Sequence, residues 1–336
     1  MSGTTVGAGK VVVITGGSAG VGRAAVDVFA RAGWDVGIIA RDSERLMRVQ
    51  ADVHALGRKA CAIPADVADA EAVEHAAQQI EAELGPITVW VNNAMATAFA
   101  PVETLTPAEF RRGTEVTYLG QVHGTMAALR RMRARDAGTI VNVGSALAYR
   151  AIPLQSIYCA AKFAVRGFTD SLRSELLHDG SGIHLTMVHL AAMNTPQFDW
   201  ALNKLGRKAQ PVPPIFQPEV AARAILFAAT HRRREVWVGF PTVKAIVANM
   251  LFPGLLDHIL ARSGYSGQIT HEKLPAGAPA NLYHPVAGPY GAHGRFDAEA
   301  KGESWEMWTS RHHGALIGIA AAVLGFGAMR LLRRRG

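Results

Sequence analysis

The sequence predicts an α/β fold: a doubly wound parallel sheet of about seven strands, carrying a helical and coil C-terminal extension. Three observations predict it: short β-branched runs without polar alternation, helical segments between them, and a glycine-rich turn directly after the first run. A continuous apolar run reads as a strand buried on both faces, which requires helices on both sides of the sheet.

Length and composition set the frame. A chain of 336 residues holds one large α/β domain plus an appendage, and 49% hydrophobic residues exclude a disordered chain. Two cysteines, Cys61 and Cys159, are too few for a disulfide framework and fit a reducing compartment. The net charge of +8 gathers at 130–135, 232–234 and 330–335, but aromatic residues are not interleaved with these arginines. A nucleic-acid partner is therefore not expected. Residues 1–10 lack the apolar core of a signal peptide, so export by that route is not expected. No metal-ligand constellation is present, and no metal is expected.

The first strand is Val11-Val12-Val13-Ile14, and Thr15-Gly16-Gly17-Ser18-Ala19-Gly20-Val21-Gly22 follows it into a helix that runs through Ala32. Strand, glycine-rich turn and helix is the context in which such glycines bind a nucleotide. Gly16 allows the tight turn, Gly20 the approach of backbone to a pyrophosphate, and Gly22 the close packing of helix on strand. The second strand, 35–40, ends in Ala40-Arg41. A carboxylate there would bond ribose hydroxyls and repel a 2′-phosphate, whereas arginine attracts one, so NADP(H) is expected over NAD(H), with Arg45 sharing the role.

Ser145 follows the apolar run Thr139–Val143, which puts its hydroxyl at a strand's carboxyl end, where open α/β sheets hold ligands. Tyr158 and Lys162 lie four apart, one turn on one helix face. A cation there favours the phenolate and eases proton transfer to a substrate oxygen. Such a pair also arises by chance on exposed helices, but the glycine-rich turn is an independent signal.

Together, Thr-Gly-x-x-x-Gly-x-Gly at 15–22 and Ser145 with Tyr158-x-x-x-Lys162 resemble the short-chain dehydrogenases/reductases, over roughly residues 10–240. The resemblance implies a Rossmann-type sheet and nucleotide contacts from Thr15, Gly16, Ser18, Gly20, Val21 and Gly22. It also implies Asp66 and Val67 against adenine, Asn93 and Ala94 beside the cofactor, Tyr158 and Lys162 at the nicotinamide ribose, and Thr195 at the carboxamide. Ser145 would bond the substrate oxygen. Three departures stand out. Met95 replaces the usual glycine after Asn92-Asn93-Ala94, and Thr117 stands where the family has an asparagine that holds a relay water. Leu190-Ala191-Ala192-Met193-Asn194-Thr195 replaces a stiffer loop. The Thr117 hydroxyl is expected to bind that water.

Residues 196–218, rich in Pro and aromatics, correspond to the mobile substrate loop. With Leu147, Tyr149, Ile152 and Leu154 they form an apolar substrate wall, or else the aromatics pin the loop to the domain. His184 and His189 read as satisfied strand-end residues. A helix at 218–230 and a strand at 235–239 complete the sheet.

Beyond the domain 1–240, residues 241–313 read as an extension, helical with a break at Pro253-Gly254 and then too rich in Gly, Pro and His for regular structure. The uncharged run 314–329 reaches about 24 Å as a helix, so 314–332 is expected to be a membrane helix, followed by a basic tail at 333–336. The sequence thus reads as an NADP(H)-dependent oxidoreductase of the cytoplasm, attached to a membrane through its C-terminus. It interconverts a carbonyl and an alcohol on a small hydrophobic substrate, with homo-oligomerisation open. The competing reading is a catalytically weakened NADP-binding sensor or membrane-associated scaffold.

Overall fold

The structure is a computed structural model and describes residues 9–304. Seven strands form one sheet: β1 Val11–Thr15, β2 Asp35–Ala40, β3 Ala60–Pro64, β4 Ile87–Asn92, β5 Thr139–Ser145, β6 His184–Leu190 and β7 Glu235–Trp237. All neighbours pair in parallel, in the order β7-β6-β5-β4-β1-β2-β3. The order reverses between β1 and β4, which opens a crevice at the carboxyl ends of these two strands.

Side-chain alternation distributes each strand between two cores. Val12, Ile14, Val36 and Ile38 pack under α1 Gly20–Arg31, α2 Ser43–Ala55 and, further along the sheet, α7 Pro218–Thr230. Val11, Val13, Ile39 and Trp90 face α3 Ala70–Leu84, α5 Gly120–Met132 and α6 Ser156–His178. Helix α6 buries Ile157, Ala161, Val165, Thr169, Leu172 and Leu176, a stripe at helical spacing. A short α4, Pro107–Thr114, begins at a Thr106/Glu109 capping box and runs into a π-helical turn, Glu115–Leu119, ahead of α5.

A buried polar ladder ties α6 to the sheet. Trp90 donates to Asn92 Oδ1 (2.8 Å), and the Asn92 amide donates to Thr125 Oγ1 (2.9 Å) and Asn142 Oδ1 (2.8 Å). Asn142 donates in turn to Thr169 on α6 (2.9 Å). Each polar side-chain atom of this ladder has at least one partner, so it fixes α6 against β4 and β5 without a partnerless buried atom. Gly124 leaves the room for it, since a methyl there would collide with the Asn92 amide.

The extension keeps its expected break: α8 Phe240–Leu251 and α9 Pro253–Ser263 meet at Phe252. Ile246 is buried with Ala148, Tyr149 and Trp237, while Phe240, Met250, Leu251, Phe252 and Leu255 lie on the exposed side. The stretch after Ser263, expected to lack regular structure, contains a strand, Ile269–Lys273, paired antiparallel with Arg207–Ala209. From 281 to 301 the chain is irregular yet held down, because many of its main-chain groups bond to the domain. Among the described residues no helix is long and apolar enough to cross a membrane. The run at 314–332 expected to do so, and the basic tail, lie outside the described residues.

Candidate active site

The turn after β1 is shaped by contacts that only glycine permits. Gly16 adopts φ +69° and Gly20 φ +57°. A Cβ on Gly16 would sit 2.8 Å from Ala94 Cα, and one on Gly22 would collide with the Gly16 carbonyl. Thr15 Oγ1 accepts from the amides of Asn93 (3.0 Å) and Ala94 (3.2 Å), and the Asn93 side chain donates back to the Thr15 carbonyl (3.1 Å). The crevice floor is thus clamped between β1 and β4. Helix α1 opens there without a side-chain cap and without an acidic residue in its first turn, an arrangement suited to an anion.

Past β2 stand three guanidiniums, Arg41, Arg45 and Arg112, near two carboxylates, Asp42 and Asp66. Arg45 pairs with Asp42 (2.9 Å) and Arg112 with Asp66. Burial lowers the pKa of Arg41, and repulsion from Arg112 and Arg45 adds to this while Asp66 opposes it. Arg41 donates to the carbonyls of Asn281 (2.5 Å), Tyr283 (3.0 Å) and Leu282 (3.4 Å), all on the extension.

At the other end Ser145 is the last residue of β5, and Tyr158 and Lys162 lie one turn apart near the start of α6. Lys162 Nζ donates to the Val143 carbonyl (2.6 Å) and lies 5.5 Å from the centre of the Tyr158 ring. Burial pulls the ammonium down to about 7. Burial likewise pushes the Tyr158 phenol up to about 12, against a lowering by the neighbouring Ser145 hydroxyl. That hydroxyl also accepts from the Leu147 amide (3.1 Å).

One cavity of about 210 Å³ joins these ends. Of the residues singled out in the sequence, Gly16, Ser18, Gly20, Val21, Arg41 and Arg45 line it on the β1–β2 side, and Asp66, Val67, Asn93, Ala94 and Met95 along its middle. Tyr158, Lys162 and Thr195 close its far end. Thr15 and Gly22 shape its floor from beneath.

Two expectations are corrected, and one open alternative is resolved. The Thr117 hydroxyl does not face the cavity; it donates to the Ala96 carbonyl (2.7 Å) and accepts from the Ala96 amide (2.9 Å), fastening the π-turn to the loop after β4. None of Leu147, Tyr149, Ile152 and Leu154 lines the cavity. Tyr149 turns inward and donates to Glu235 (2.5 Å), beneath Arg166 at 3.7 Å from its ring. In the loop 196–218, Phe198 packs on Phe99 and Phe296 and Phe216 joins the core, so those aromatics pin the loop, while Trp200 lines the cavity.

The partners of His189, and one group of residues on the extension, escaped the sequence reading. His189 contacts the Ser145 carbonyl (3.1 Å) through Nδ1 and Glu235 (3.4 Å) through Nε2, so the strand carrying Ser145 is braced by a buried His189–Glu235–Tyr149 cluster. Burial raises the Glu235 carboxyl, but the close approach of His189 and hydrogen bonds from Tyr149 and Trp237 outweigh it and hold the group well below the usual range. Asn281, Pro285 and Val286 of the extension form part of the cavity wall. They contribute main chain and apolar surface, for which no sequence pattern exists.

A family model described as short chain dehydrogenase matches residues 10–204. The chain belongs to the short-chain dehydrogenase family. This short-chain dehydrogenase is similar to the uncharacterized oxidoreductase YxnA of Bacillus subtilis, at 32% identity over 269 residues that cover 80% of this chain and 75% of YxnA. It is also similar to the putative oxidoreductase SadH of Mycobacterium tuberculosis, at 33% identity over 238 residues, 69% of this chain and 86% of SadH. Among solved structures, a short-chain dehydrogenase from Streptomyces avermitilis aligns at 28% identity with a TM-score of 0.64, covering 76% of this chain and 95% of that one. An alcohol dehydrogenase from the archaeon Thermococcus sibiricus, complexed with 5-hydroxy-NADP, aligns at 26% identity with a TM-score of 0.59, covering 68% and 95%. As a short-chain dehydrogenase the protein is an oxidoreductase.

Proposed function

We propose that this short-chain dehydrogenase exchanges hydride between NADP(H) and the carbonyl/alcohol pair of a small apolar substrate, with Tyr158 as general acid in reduction and general base in oxidation. The observation that carries the reading is the single cavity with an arginine cluster at one end and Tyr158 and Lys162 at the other. The residues fit a dinucleotide bearing a 2′-phosphate. Helix α1 begins without a side-chain cap, its Gly20 amide meeting only the Gly291 carbonyl (3.0 Å), three guanidiniums stand against two carboxylates, and the Nε of buried Arg45 has no partner of its own. The cofactor complex of the archaeal relative supports the same choice.

When bound, the nicotinamide supplies the hydride donor or acceptor. The chain supplies the proton and the geometry. A phenol held near 12 keeps its proton at neutral pH and has it ready for a carbonyl oxygen being reduced. The Ser145 hydroxyl, beside that phenol, holds the same oxygen. The Lys162 ammonium is desolvated, and hydroxyl acceptors arriving at Nζ raise its pKa, which strengthens its field on the phenol and lowers the cost of the phenolate. Met95, Leu190 and Met193 make the lining apolar, which favours a hydrophobic carbonyl compound.

Titration of the full chain with NADPH and NADH by cofactor fluorescence, followed by turnover with hydrophobic ketones and aldehydes, tests the reading. NADPH preference with turnover is the expected result. Tight binding without turnover would make the protein a nucleotide sensor, and no binding of either nucleotide would refute the proposal.

A further inference from the structure

Residues 281–297 follow the nucleotide cleft from one end to the other. At the arginine end, the Asn281, Leu282 and Tyr283 carbonyls hold Arg41, and the Val286 carbonyl accepts from Arg45 (2.7 Å). Leu282 also accepts from Arg112 (3.0 Å). Midway, the Gly291 carbonyl accepts from the amide of Gly20, the first residue of α1 (3.0 Å). At the far end Gly294 lies against Thr195, where a Cβ would come within 2.5 Å of the Thr195 carbonyl. The segment is anchored just beyond. Asp297 accepts from Asn194 (2.8 Å) and Gln217 (3.1 Å) and pairs with His293 (2.7 Å), which pairs also with Glu219 (2.8 Å). Arg295 pairs with Asp199 and donates to the Ala209 carbonyl (2.6 Å).

The chemistry of the arginine end is selective. Carbonyl oxygens orient a guanidinium but do not cancel its charge, so three arginines facing two carboxylates keep an excess of positive charge while losing their rotational freedom. Arg45 is only 6% exposed, lies 5.2 and 5.9 Å from the rings of Trp200 and Tyr290, which pack edge-on against each other, and retains an unpartnered Nε. An arginine fixed in advance does not spend side-chain entropy when its ligand arrives. The ligand such a cluster awaits is a compact anion; a ribose hydroxyl gains little from it.

We propose that 281–297 is a specificity-determining wall of the nucleotide site: its main-chain carbonyls position Arg41 and Arg45 for a ribose 2′-phosphate, and the segment tightens when NADP(H) is bound. This rests on the functional reading above and assigns its cofactor selectivity to the extension as well as to β2.

Hydrogen exchange of the full-length protein, followed by mass spectrometry without nucleotide, with NADP⁺ and with NAD⁺, tests it. The expected result is slower exchange across 281–297 with NADP⁺ than with NAD⁺ at matched saturation. Exchange there that is indifferent to nucleotide, or slowed equally by both, overturns the proposal. A second measurement uses Arg295→Ala/Asp297→Ala, which loosens the anchor and leaves every cavity-lining side chain in place. NADP⁺ affinity should fall by roughly tenfold with NAD⁺ affinity nearly unchanged, whereas an equal loss of both would mark a merely structural role and overturn the proposal. If wild-type protein prefers NADP⁺ and turns over but 281–297 does not respond, this inference alone fails. If neither nucleotide binds, the functional reading fails and carries this one with it.

Discussion

The two ends of the cavity are built in opposite ways. At the tyrosine end, Tyr158 and Lys162 share one turn of one helix, and Ser145 closes the adjacent strand. At the arginine end, Arg41 meets carbonyls 240 to 242 positions further along the chain. The first end is made of side chains at a fixed local spacing, the second of side chains held by distant main chain. A local arrangement is set once the helix forms. A distant one depends on the whole chain being folded, which, on the proposed function, makes the arginine end the place where selectivity is most easily changed.

The comparison can be broken at several points. The largest effect should come from Tyr158→Phe, which removes only the proton donor: turnover should fall by about 10²–10⁴-fold with NADPH affinity unchanged. Steady-state kinetics beside a fluorescence titration would separate the two, and a parallel loss of affinity would show that the ends are not independent. Next, Arg41→Ala should weaken NADPH binding by roughly 10- to 100-fold and leave NADH binding and maximal turnover nearly as they were. An unchanged preference would move the 2′-phosphate contact wholly to Arg45 and Arg112. Gly22→Ala should act on both ends at once, because the added methyl meets the Gly16 carbonyl under the shared floor. A loss of about 1–3 kcal/mol is expected in denaturant unfolding, together with weaker binding of both nucleotides.

A last test concerns pH. Burial depresses the Lys162 pKa to about 7 from 10.5, so between these values the unfolded chain holds a proton that the folded chain has released. Stability from this group is fully present above 10.5, rises with pH across that window, and is lost as pH falls through about 7, with a slope of at most about 1.4 kcal/mol per pH unit. Denaturant midpoints of the nucleotide-free protein against pH should show the slope, and Lys162→Met should remove it.

What was legible in the sequence follows the same division. The strand runs, the glycine-rich turn and the Ser145–Tyr158–Lys162 spacing could be read because their chemistry is local and carried by side-chain identity. Arg41 was legible as a cation at the end of β2, but not its partners, since a carbonyl belongs to every residue and Asn281 or Leu282 carries no mark of its use. Thr117 was misread for a related reason: its substitution for asparagine is visible, yet both of its bonds go to the Ala96 backbone across the fold. Tyr149 and His189 looked like wall and strand-end residues. Their places under Ser145 depend on Glu235, which another strand brings in.

The sequence separation at the arginine end also sets an order of events during synthesis. The sheet from β1 to β5 and the tyrosine helix leave the ribosome well before residue 281. At about 5–20 residues per second, the carbonyls that hold Arg41 arrive roughly 12–50 s after the arginine itself. Once Tyr158 has been made, and until residue 281 follows it, the nascent domain carries the tyrosine and the glycine-rich turn but not the wall. On the proposed function, the newly made chain therefore acquires its proton donor before the wall proposed to choose between the two dinucleotides.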